Sequence, residues 1–431
     1  MSAYRAKIRM YRQGLGDCWL IALPRTAGAA AAAPFYVMID CGVVLGTPDA
    51  AATMQRVVAD VAATTNGKID LLVATHEHWD HLSGFIQARE QFAGIEFGAV
   101  WLAWTENPAD PQAQALAGER AAALRSLRLA LNRLRLAGAD DAAGEIDGLL
   151  GLFGAAGGST SDALQAVRGL SKVVRYCDPA DAPQQLPQTS VRVYALGPPR
   201  DEKLLKELLL SPSSPDMYGI AAPSSDDDAG APFDEMQAIP LEVAREMPFF
   251  RRRYWGSDVA PSDDAADWRR IDGSWLEATS ELALQLDSAT NNTSLVLAFE
   301  LENGDVLLFP GDAQVGNWLS WQSLAWSVDG ANVKATDLLA RCAFYKVGHH
   351  GSHNATLKEH GLEMMQKLAT AMIPVDHAVA VTKHWDRMPL PALLDALAQK
   401  ANGAVIRADE ALPAGSPAAD GGGTLYYEVT L

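Results

Sequence analysis

Four side chains that commonly bind metal ions lie within six positions of the sequence, in residues 75–85 (THEHWDHLSGF). Neutral imidazole and carboxylate are ligand types that zinc and other first-row divalent cations accept. A buried aspartate beside three histidines would otherwise need a hydrogen-bond partner for every polar atom. The spacing H-x-H-x-D-H therefore predicts a metal site, formed by His76, His78, Asp80 and His81.

The element that precedes this cluster is predicted to be a buried strand. Residues 69–74 (IDLLVA) form an aliphatic, partly β-branched run of the length that is typical of such strands. The cluster then occupies the turn at the carboxyl end of the strand, before a helix that begins near Leu82. A turn in this position can direct several side chains toward one point.

The cluster resembles the metal motif of the metallo-β-lactamase superfamily, and two later segments resemble other ligand-bearing elements of that superfamily. Residues 307–313 (LLFPGDA) are similar to its strand followed by Gly-Asp, and residues 344–352 (FYKVGHHGS) are similar to its final ligand turn. The order of the three segments along the chain also matches. The resemblance implies an α/β fold, the four-layer αββα metallo-β-lactamase sandwich, with the ligand loops of both halves at one edge.

The resemblance also implies two divalent cations, with zinc as the expected metal and manganese as the alternative. The first two histidines hold one cation, and Asp80 and His81 hold the second. The bridge between them is Asp312, because a carboxylate can offer one oxygen to each cation. The last ligand is His350 rather than His349, since the late histidine of the superfamily directly precedes glycine. The implied metal ligands are thus His76, His78, Asp80, His81, Asp312 and His350.

Four segments resemble one branch of the superfamily more narrowly. This branch includes the hydrolase domain attached to the competence DNA-uptake channel and the phosphorylcholine esterase, and its members act on phosphodiesters. The resemblance covers about residues 1–105 and 285–431 and leaves the middle of the chain unexplained. The four segments are residues 16–21 (GDCWLI), 38–42 (MIDCG), 291–297 (NNTSLVL) and 346–352 (KVGHHGS).

The chain departs from the superfamily pattern at one ligand. The superfamily usually supplies a further histidine to the first cation, but no histidine lies between His81 and Asp312. Either an oxygen ligand substitutes, or the first cation keeps an open, water-filled position. One candidate is Glu106, which follows the apolar residues 98–104. The alternative is that Glu106 is an exposed loop acid.

Further side chains are candidates for roles in catalysis, in addition to the ligand Asp80. With His350 bound to metal, His349 could donate a hydrogen bond to charge that develops on the substrate. The ammonium of Lys346 could act electrostatically, with a solvated lysine at a strand edge as the alternative. Asp40 is expected to orient a ligand imidazole, because the Ile-Asp-x-Gly turn of the superfamily lies under the metal site. His384 either approaches the same edge or is an exposed loop histidine.

The composition describes a globular protein with ample core material, since 48% of the 431 residues are hydrophobic and 20% are charged. No run approaches the roughly 18 consecutive apolar residues of a membrane span. The first residues lack the apolar core and cleavage site of a signal peptide, so we expect a cytoplasmic protein. The four cysteines are widely spaced without a C-x-x-C pair, which predicts reduced thiols, buried at Cys18, Cys41 and Cys342.

The formal net charge of −18 opposes tight non-specific binding to nucleic acid, which depends on neutralising phosphates. A local basic and aromatic patch interrupts the acidic middle of the chain, at residues 251–255 (RRRYW) and 268–270 (WRR). We expect residues 245–275 to form a lid or wall at the active-site edge, with arginines facing substrate phosphates. Pairing of these arginines with nearby aspartates is the alternative. The arginines concerned are Arg251, Arg252, Arg253 and Arg269.

The predicted elements divide the chain into three regions. Residues 1–105 form the first half of the sandwich, residues 106–280 a mostly helical insertion with a mobile loop at 211–232, and residues 281–431 the second half. Within the insertion, a leucine stripe predicts a helix over 113–136, which either faces the core or contacts a protein partner. Strands over 172–176 and 191–196 are expected to return to the core. The last region includes a predicted helix over 356–369 and a predicted strand over 378–382.

The leading functional hypothesis is a metal-dependent hydrolase, a phosphodiesterase or nuclease that uses a metal-bridging hydroxide. Its substrate would contain phosphate, as a nucleotide or nucleic acid does. The first alternative is hydrolysis of a β-lactam, lactone or thioester, against which the missing histidine argues. The second is a metal-binding scaffold with latent activity, against which the intact Asp80, Asp312 and His350 argue.

Overall fold

The computed structural model describes residues 4–26, 33–136, 140–155, 158–210, 214–218, 247, 274–383 and 385–431. Several sequence predictions lie outside these residues. They concern the arginines of 251–253 and 269–270, His384 and most of the loop predicted at 211–232.

The described residues form a mixed α/β structure around two large sheets. Sheet I has the strand order β18-β19-β1-β2-β3-β4-β5-β8, and sheet II has the order β17-β16-β15-β12-β11-β10-β9. Two hairpins, β6-β7 and β13-β14, stand apart from these sheets. The strands are β1 Lys7–Tyr11, β2 Cys18–Leu23, β3 Phe35–Cys41, β4 Lys68–Val73, β5 Glu96–Ala103, β6 Gly154–Ala155, β7 Gly158–Ser159, β8 Val174–Cys177, β9 Gln184–Gln185, β10 Arg192–Gly197, β11 Val296–Glu300, β12 Val306–Phe309, β13 Ala325–Val328, β14 Ala331–Lys334, β15 Cys342–Lys346, β16 Thr370–Ile373, β17 Val405–Arg407, β18 Ala418–Gly421 and β19 Tyr426–Thr430.

Helices and short 3-10 turns connect the strands. The α-helices are α1 Ala50–Thr65, α2 Trp79–Leu82, α3 Gly84–Gln87, α4 Arg89–Phe92, α5 Pro111–Leu136, α6 Asp140–Leu150, α7 Thr160–Gly169, α8 Glu202–Leu205, α9 Ser274–Asn291, α10 Val315–Ser320, α11 Ala335–Ala340, α12 His377–Thr382 and α13 Pro391–Lys400. The 3-10 turns are Trp104–Glu106, Gly151–Phe153, Trp321–Ser323, Gly348–Gly351 and Leu362–Met364.

Apolar clusters hold the sheets to each other and to the helices. Between the sheets, the ring of Trp19 on β2 meets Phe309 of β12 and Phe344 of β15 edge to face. A second cluster packs β-strands of sheet I against α1, α3, α4 and α7, and a third packs sheet II against α9, α10, α11 and α13. Because both faces of the central strands are covered, β3 and β15 are buried along their whole length.

Parallel pairing brings the loops that carry the predicted ligands to one edge. Strands β3, β4 and β5 are parallel neighbours in sheet I, and β12, β15 and β16 are parallel neighbours in sheet II. The carboxyl ends of parallel strands lie at the same edge of a sheet, where ligands commonly bind. The loops that follow β3, β4, β12 and β15 carry the residues that the sequence singled out.

The region between the two predicted halves contributes to both sheets, as expected from its strand-like runs. β8 pairs with β5 in sheet I, and β10 pairs with β11 in sheet II. The leucine stripe of α5 faces the core at Leu127, Leu131 and Leu134, while Leu129 and Leu136 are exposed. The core-facing alternative for this helix is therefore confirmed for the stripe.

Two predicted elements of the last region are wrong. Residues 356–369 form turns and the short 3-10 helix Leu362–Met364, and the strand comes after them at Thr370–Ile373. Residues 378–382, which read as a β-branched strand, belong to α12 instead. The side chain of Asp376 accepts a hydrogen bond from the Val379 amide, and this N-terminal cap favours the helix over the local strand propensity.

The cysteines agree with their prediction, since all four are free and buried. Among the described helices, none combines the length and the apolar character that crossing a membrane would require.

Candidate functional site

The predicted metal motif begins in the turn that follows β4. The one-turn helix α2 begins at Trp79 within the motif, and His78 is its N-cap residue, with extended backbone angles. The four potential ligands point into the protein and are at most 5% exposed, although they lie at a strand end. The buried side chains are His76, His78, Asp80 and His81.

Two imidazoles and two carboxylates converge at one point of this edge. His350 Nε2 lies 3.0 Å from Asp80 Oδ2, and His81 Nε2 lies 3.1 Å from Asp312 Oδ2. The cross distances are 3.5 Å from His81 Nε2 to Asp80 Oδ2 and 3.7 Å from His350 Nε2 to Asp312 Oδ2. The structure thus brings together four of the six predicted ligands, although Asp80 and His350 are 270 positions apart.

The other two predicted ligands form a separate pair beside this group. His76 Nε2 lies 3.1 Å from His78 Nδ1, and the His76 ring is 4.2 Å from the His81 ring. Two nitrogens bound to one tetrahedral zinc at its usual distances would be about 3.3 Å apart. The spacing of the pair therefore fits two ligands of a single cation.

Hydrogen bonds at the far side of two rings fix which nitrogen faces the centre. The Nδ1–H of His81 donates to Asp40 Oδ2 at 2.8 Å, and Asp40 also accepts from the amide and hydroxyl of Thr75. The Nδ1–H of His350 donates to the carbonyl of Pro374 at 2.7 Å. Because these acceptors hold a proton on Nδ1, Nε2 is the nitrogen that each ring would offer to a cation in place of a second proton. The predicted orienting role of Asp40 agrees with this geometry.

Lys346 is buried among oxygen atoms rather than placed at a solvated strand edge, so that alternative is wrong. Its Nζ lies 2.7 Å from Asp17 Oδ2, 2.7 Å from the Gly311 carbonyl and 3.1 Å from Asp312 Oδ1. These three contacts use all the donors of an ammonium group. Lys346 therefore acts on Asp312 as a positioning residue, without a free donor for substrate.

The same contacts determine which oxygen of Asp312 faces the ligands. Oδ1 accepts from Lys346 and from the backbone amide of His349 at 3.1 Å, whereas Oδ2 faces His81. These contacts disfavour the expectation that Asp312 offers one oxygen to each cation, and Oδ2 is the oxygen that faces the other potential ligands.

Asp17 is a buried carboxylate of the centre that the sequence analysis did not single out, although it lies in the quoted segment 16–21. Asp17, His81, Asp312 and His350 offer ligand atoms within 4.8 Å of one another, a group that could hold a metal ion. Asp17 lies on the Nδ1 side of both rings, at 3.9 Å from His81 and 3.8 Å from His350. We therefore regard it as a charge behind the ligands that holds Lys346.

In the four converging side chains, here called the second group, neighbouring charges act on the pKa values against the effect of burial. The second group consists of Asp80, His81, Asp312 and His350. Burial opposes charge on His81, but Asp312, Asp80, Asp40 and Asp17 together raise the pKa of His81 well above its usual value. Burial likewise opposes charge on Asp312, but His81 and then Lys346 hold the pKa of Asp312 well below its usual range. The carboxylates of this group thus remain charged, and a protonated His81 together with Lys346 supplies positive charge that a bound cation would take over from His81.

His76 and His78, here called the first pair, remain neutral because burial dominates over the neighbouring charges. Burial, followed by the neighbouring His81, lowers the pKa of His76 well below its usual value. Burial also lowers the pKa of His78 to about 3. Neutral imidazole is the form that binds metal ions, so both rings are ready to act as ligands.

The balance of buried charge fits a divalent cation. Four carboxylates of the centre are at most 5% exposed, and among the described residues they are faced by Lys346 and by His81 and His350, whose pKa values they raise. Buried charges without compensation cost several kcal/mol each. The Nε2 of His81 and the Oδ1 of Asp80 are also buried without a hydrogen-bond partner among the described residues. The four carboxylates are Asp17, Asp40, Asp80 and Asp312.

His349 and His350 are directed by an unusual turn. Both have positive φ angles, 42° and 53°, a left-handed conformation that is uncommon for residues other than glycine. The His349 ring is 3.5 Å from the amide nitrogens of Asn291 and Gln314, and burial lowers its pKa to about 4. A neutral His349 thus lines the pocket while His350 faces the ligands.

Glu106 agrees with neither of its predicted roles. It is buried, so it is not an exposed loop acid. Its carboxylate lies 3.6 Å from Arg120 and 3.9 Å from Arg168, and Arg120 also pairs with Glu77 at 2.7 Å. A carboxylate held between two guanidinium groups is not available to replace the missing histidine.

A second missed carboxylate, Asp287 on α9, lies beside the first pair. Its Oδ1 is 3.7 Å from His78 Nε2. Burial, followed by the charges of Asp80 and Asp312, raises the pKa of Asp287 to about 8. One aspartate in a helical stripe carries no signal in the sequence, since nothing in the local pattern relates it to His78.

A pocket of about 400 Å³ opens onto these groups. Asp80, Asp312 and His349 lie in its floor, together with His78 and His350. Arg387 lines its wall and is exposed. The apolar part of the lining is formed by Leu149, Leu152, Leu284, Trp385 and Met388, and the rest is polar and includes Asp287, His353, Asn354 and Asp386.

Comparison with protein-family models, curated proteins and solved structures finds no match to this chain. The resemblance to the metallo-β-lactamase superfamily therefore rests on the motif residues and remains a prediction. The convergence of these residues at one edge is independent of that resemblance.

Proposed function

We propose that this chain is a metal-dependent hydrolase with two divalent cations, and that phosphodiesters are its substrates. The observation that carries the proposal is the pair of adjacent ligand groups, His76 with His78 and the four side chains around Asp312 Oδ2. We also propose that the two packed sheets with their helices are the four-layer αββα sandwich of the metallo-β-lactamase superfamily.

The residues would divide the work of holding the cations as follows. His76 Nε2 and His78 Nδ1 would hold the first cation, and Asp80, His81 and His350 would hold the second. Asp312 would help to hold the cations through Oδ2, the oxygen that faces His81. The mixture of imidazole and carboxylate donors suits zinc and also accepts manganese. The partnerless buried atoms of His81 and Asp80 support this arrangement, because a cation would satisfy both.

Two bound divalent cations would stabilise charge on a transferring phosphoryl group and lower the pKa of a water molecule. The side chains of the pocket contribute orientation and charge. Neutral His349 has one N–H, and the amide nitrogens of Gln314 and Asn291 lie 3.5 Å from its two ring nitrogens. Donation from this N–H to a substrate oxygen requires the amide beside it to turn away. Lys346 and the His349 amide keep Asp312 in one orientation throughout.

The positively charged side chain of Arg387 at the pocket wall favours an anionic substrate over a neutral one. Arg387 is exposed and has no ion-pair partner among the described residues, so its guanidinium can receive a phosphate oxygen. The apolar wall beside it, which includes Leu152 and Trp385, suits an apolar or aromatic substituent of the same substrate. A phosphodiester with such a substituent satisfies both features.

A metal analysis combined with a panel of substrates tests this proposal. We expect about two divalent cations per chain and hydrolysis of bis(p-nitrophenyl) phosphate, of single-stranded DNA or of RNA. Prolonged strong chelation should remove the activity, and added Zn²⁺ or Mn²⁺ should restore it. Hydrolysis of nitrocefin or a lactone without phosphodiester cleavage would favour the carbonyl substrates instead. Activity that survives chelation would contradict the mechanism.

A further inference from the structure

Two buried polar atoms face each other beside the first pair of histidines, and neither has a hydrogen-bond partner in the part of the chain that the structure describes. They are Nε2 of His78 and Oδ1 of Asp287, which are 3.7 Å apart. The side chains of His78 and Asp287 are 2% and 13% exposed, and both line the pocket. A buried donor or acceptor without a partner costs about 1–3 kcal/mol, which makes such a pair uncommon unless it has a role.

The other nitrogen of His78 explains why Nε2 carries the proton. Nδ1 lies 3.1 Å from His76 Nε2, so Nδ1 is the atom that faces the proposed first cation. A neutral imidazole that binds metal through Nδ1 keeps its hydrogen on Nε2. The Phe153 ring packs edge to face against the His78 ring at 4.9 Å and restricts its rotation. The Nε2–H is therefore aimed away from the cation, toward α9.

Helix α9 holds Asp287 firmly on that side. Ala283 and Leu286 of the same helix are buried in the apolar cluster that packs against sheet II. The Oδ2 of Asp287 accepts from the amide of Asn291, one turn further along the helix, at 3.3 Å. Oδ1 is thus left to face His78, and it can accept a hydrogen bond both in the ionised acid and as the carbonyl oxygen of the neutral acid.

We infer that Asp287 is a positioning residue of the first cation site, where it accepts the Nε2–H of His78 and makes Nδ1 the ligand atom. A small rotation of its side chain closes 3.7 Å to the usual hydrogen-bond distance of about 3 Å. Metal-binding histidines generally donate their second N–H to a carboxylate or carbonyl, and loss of that partner lowers metal affinity. His81 and His350 already have such partners in Asp40 and Pro374.

The inference rests on the proposed two-cation function, and it differs from a direct ligand role for Asp287. A direct ligand would replace the missing histidine and bind the cation itself. Asp287 faces Nε2 rather than Nδ1 of His78, which is the side opposite the cation. The geometry therefore favours the positioning role.

Metal-binding constants of the full-length chain test this inference. Zn²⁺ affinity would be measured by competition with a chromophoric chelator for the wild type and for Asp287→Ala, Asp287→Asn and His76→Ala. Co²⁺ absorption spectra would report the ligand geometry. We expect Asp287→Ala to weaken one cation about 10–100-fold and to leave the other nearly unchanged. Asp287→Asn should lose less, because its amide oxygen can still accept from His78.

The controls separate the possible outcomes. Asp147→Asn removes a carboxylate that is 57% exposed, and it should leave both affinities unchanged. If Asp287→Ala removes a cation as completely as His76→Ala does, Asp287 is a direct ligand and the positioning role is wrong. Unchanged affinities in both Asp287 variants would also overturn it. A wild-type chain that binds fewer than two cations contradicts the proposed function itself, which is a different result.

Discussion

Individual atoms, rather than residue types, distinguish the ligands of this centre from the groups behind them. His81 and His350 each donate from Nδ1 to an oxygen, so their Nε2 atoms face Asp80 and Asp312. Lys346 occupies one oxygen of Asp312 and leaves the other free. Each of these choices follows from a neighbour that belongs to another element.

Removal of one imidazole from the second group should empty that site. The variant His81→Ala is expected to retain one cation per chain and to lose hydrolysis of bis(p-nitrophenyl) phosphate by at least about 100-fold, because transition-state charge is no longer stabilised. Metal content and initial rates provide the measurement, and circular dichroism checks the fold. Full occupancy of both sites in this variant would show that His81 is not a ligand.

The buried ammonium of Lys346 should matter for stability. Lys346→Met leaves the carboxylates of Asp17 and Asp312 without their ammonium partner. Breaking a buried ion pair in this way costs about 3–5 kcal/mol. The free energy of unfolding in urea would be measured for the metal-free protein. Lys346→Arg keeps the charge and should lose less. If Lys346→Met unfolds like the wild type, the lysine does not hold these carboxylates.

At the scale of elements, the ligands depend on turns that leave the ends of parallel strands. The turn after β15 takes two histidines through the left-handed region and continues with Gly351, whose φ is +84°. A Cβ at Gly351 would lie 2.6 Å from the Cβ of Pro389, so the turn also depends on close packing. The direction of His350 therefore depends on a residue that is not a ligand.

Substitution of this glycine should disturb the second group. Gly351→Ala is expected to lower the melting temperature and to weaken one cation, because both the positive φ and the contact with Pro389 oppose a methyl group. The control is Gly330→Ala, since Gly330 has a φ of +81° and no atom within 4 Å of the added Cβ. Calorimetry and Zn²⁺ titration measure the two effects. Equal losses in both variants would assign them to the backbone angle alone.

At the scale of the whole molecule, local charge has to overcome a net charge of −18 if the substrate is an anion. The sequence pointed to arginines between 251 and 270 for this purpose, and that prediction remains untested because those residues are not described. Arg387 provides a positive group at the pocket that the sequence analysis did not single out. A local cation in a cleft can raise the concentration of an anionic substrate there.

The variant Arg387→Ala tests this use of charge. We expect KM for an anionic phosphodiester to rise about 5–20-fold with kcat less affected, since a surface cation contributes mainly to binding. Hydrolysis of a small neutral ester should change little, and the salt dependence of kcat/KM should become flatter. Arg56→Ala on the exposed face of α1 is the matched control. Equal losses on charged and neutral substrates would show that Arg387 supports the structure instead.

The sequence by itself determined the features that depend on neighbours along the chain. The continuous aliphatic run at 69–74 predicted the strand before the motif, and the helical spacing of the leucines in 113–136 predicted the helix, because both signals lie within the element itself. The ligand candidates His76, His78, Asp80 and His81 followed from their types and spacing. The same local reading failed at 378–382, where a cap at Asp376 outweighed β-branched residues.

Only the tertiary structure decided which groups meet and through which atoms. Asp17 and Lys346 are 329 positions apart, and Asp287 approaches His78 from a helix of the other half of the chain. Glu106 became a buried partner of two arginines rather than a ligand. These contacts arise where loops of two sheets pack together, and the free energy that selects them comes from burial and pairing across that junction. Local residue patterns do not encode such pairings, because the residues next to one partner in the sequence contain no information about the distant partner.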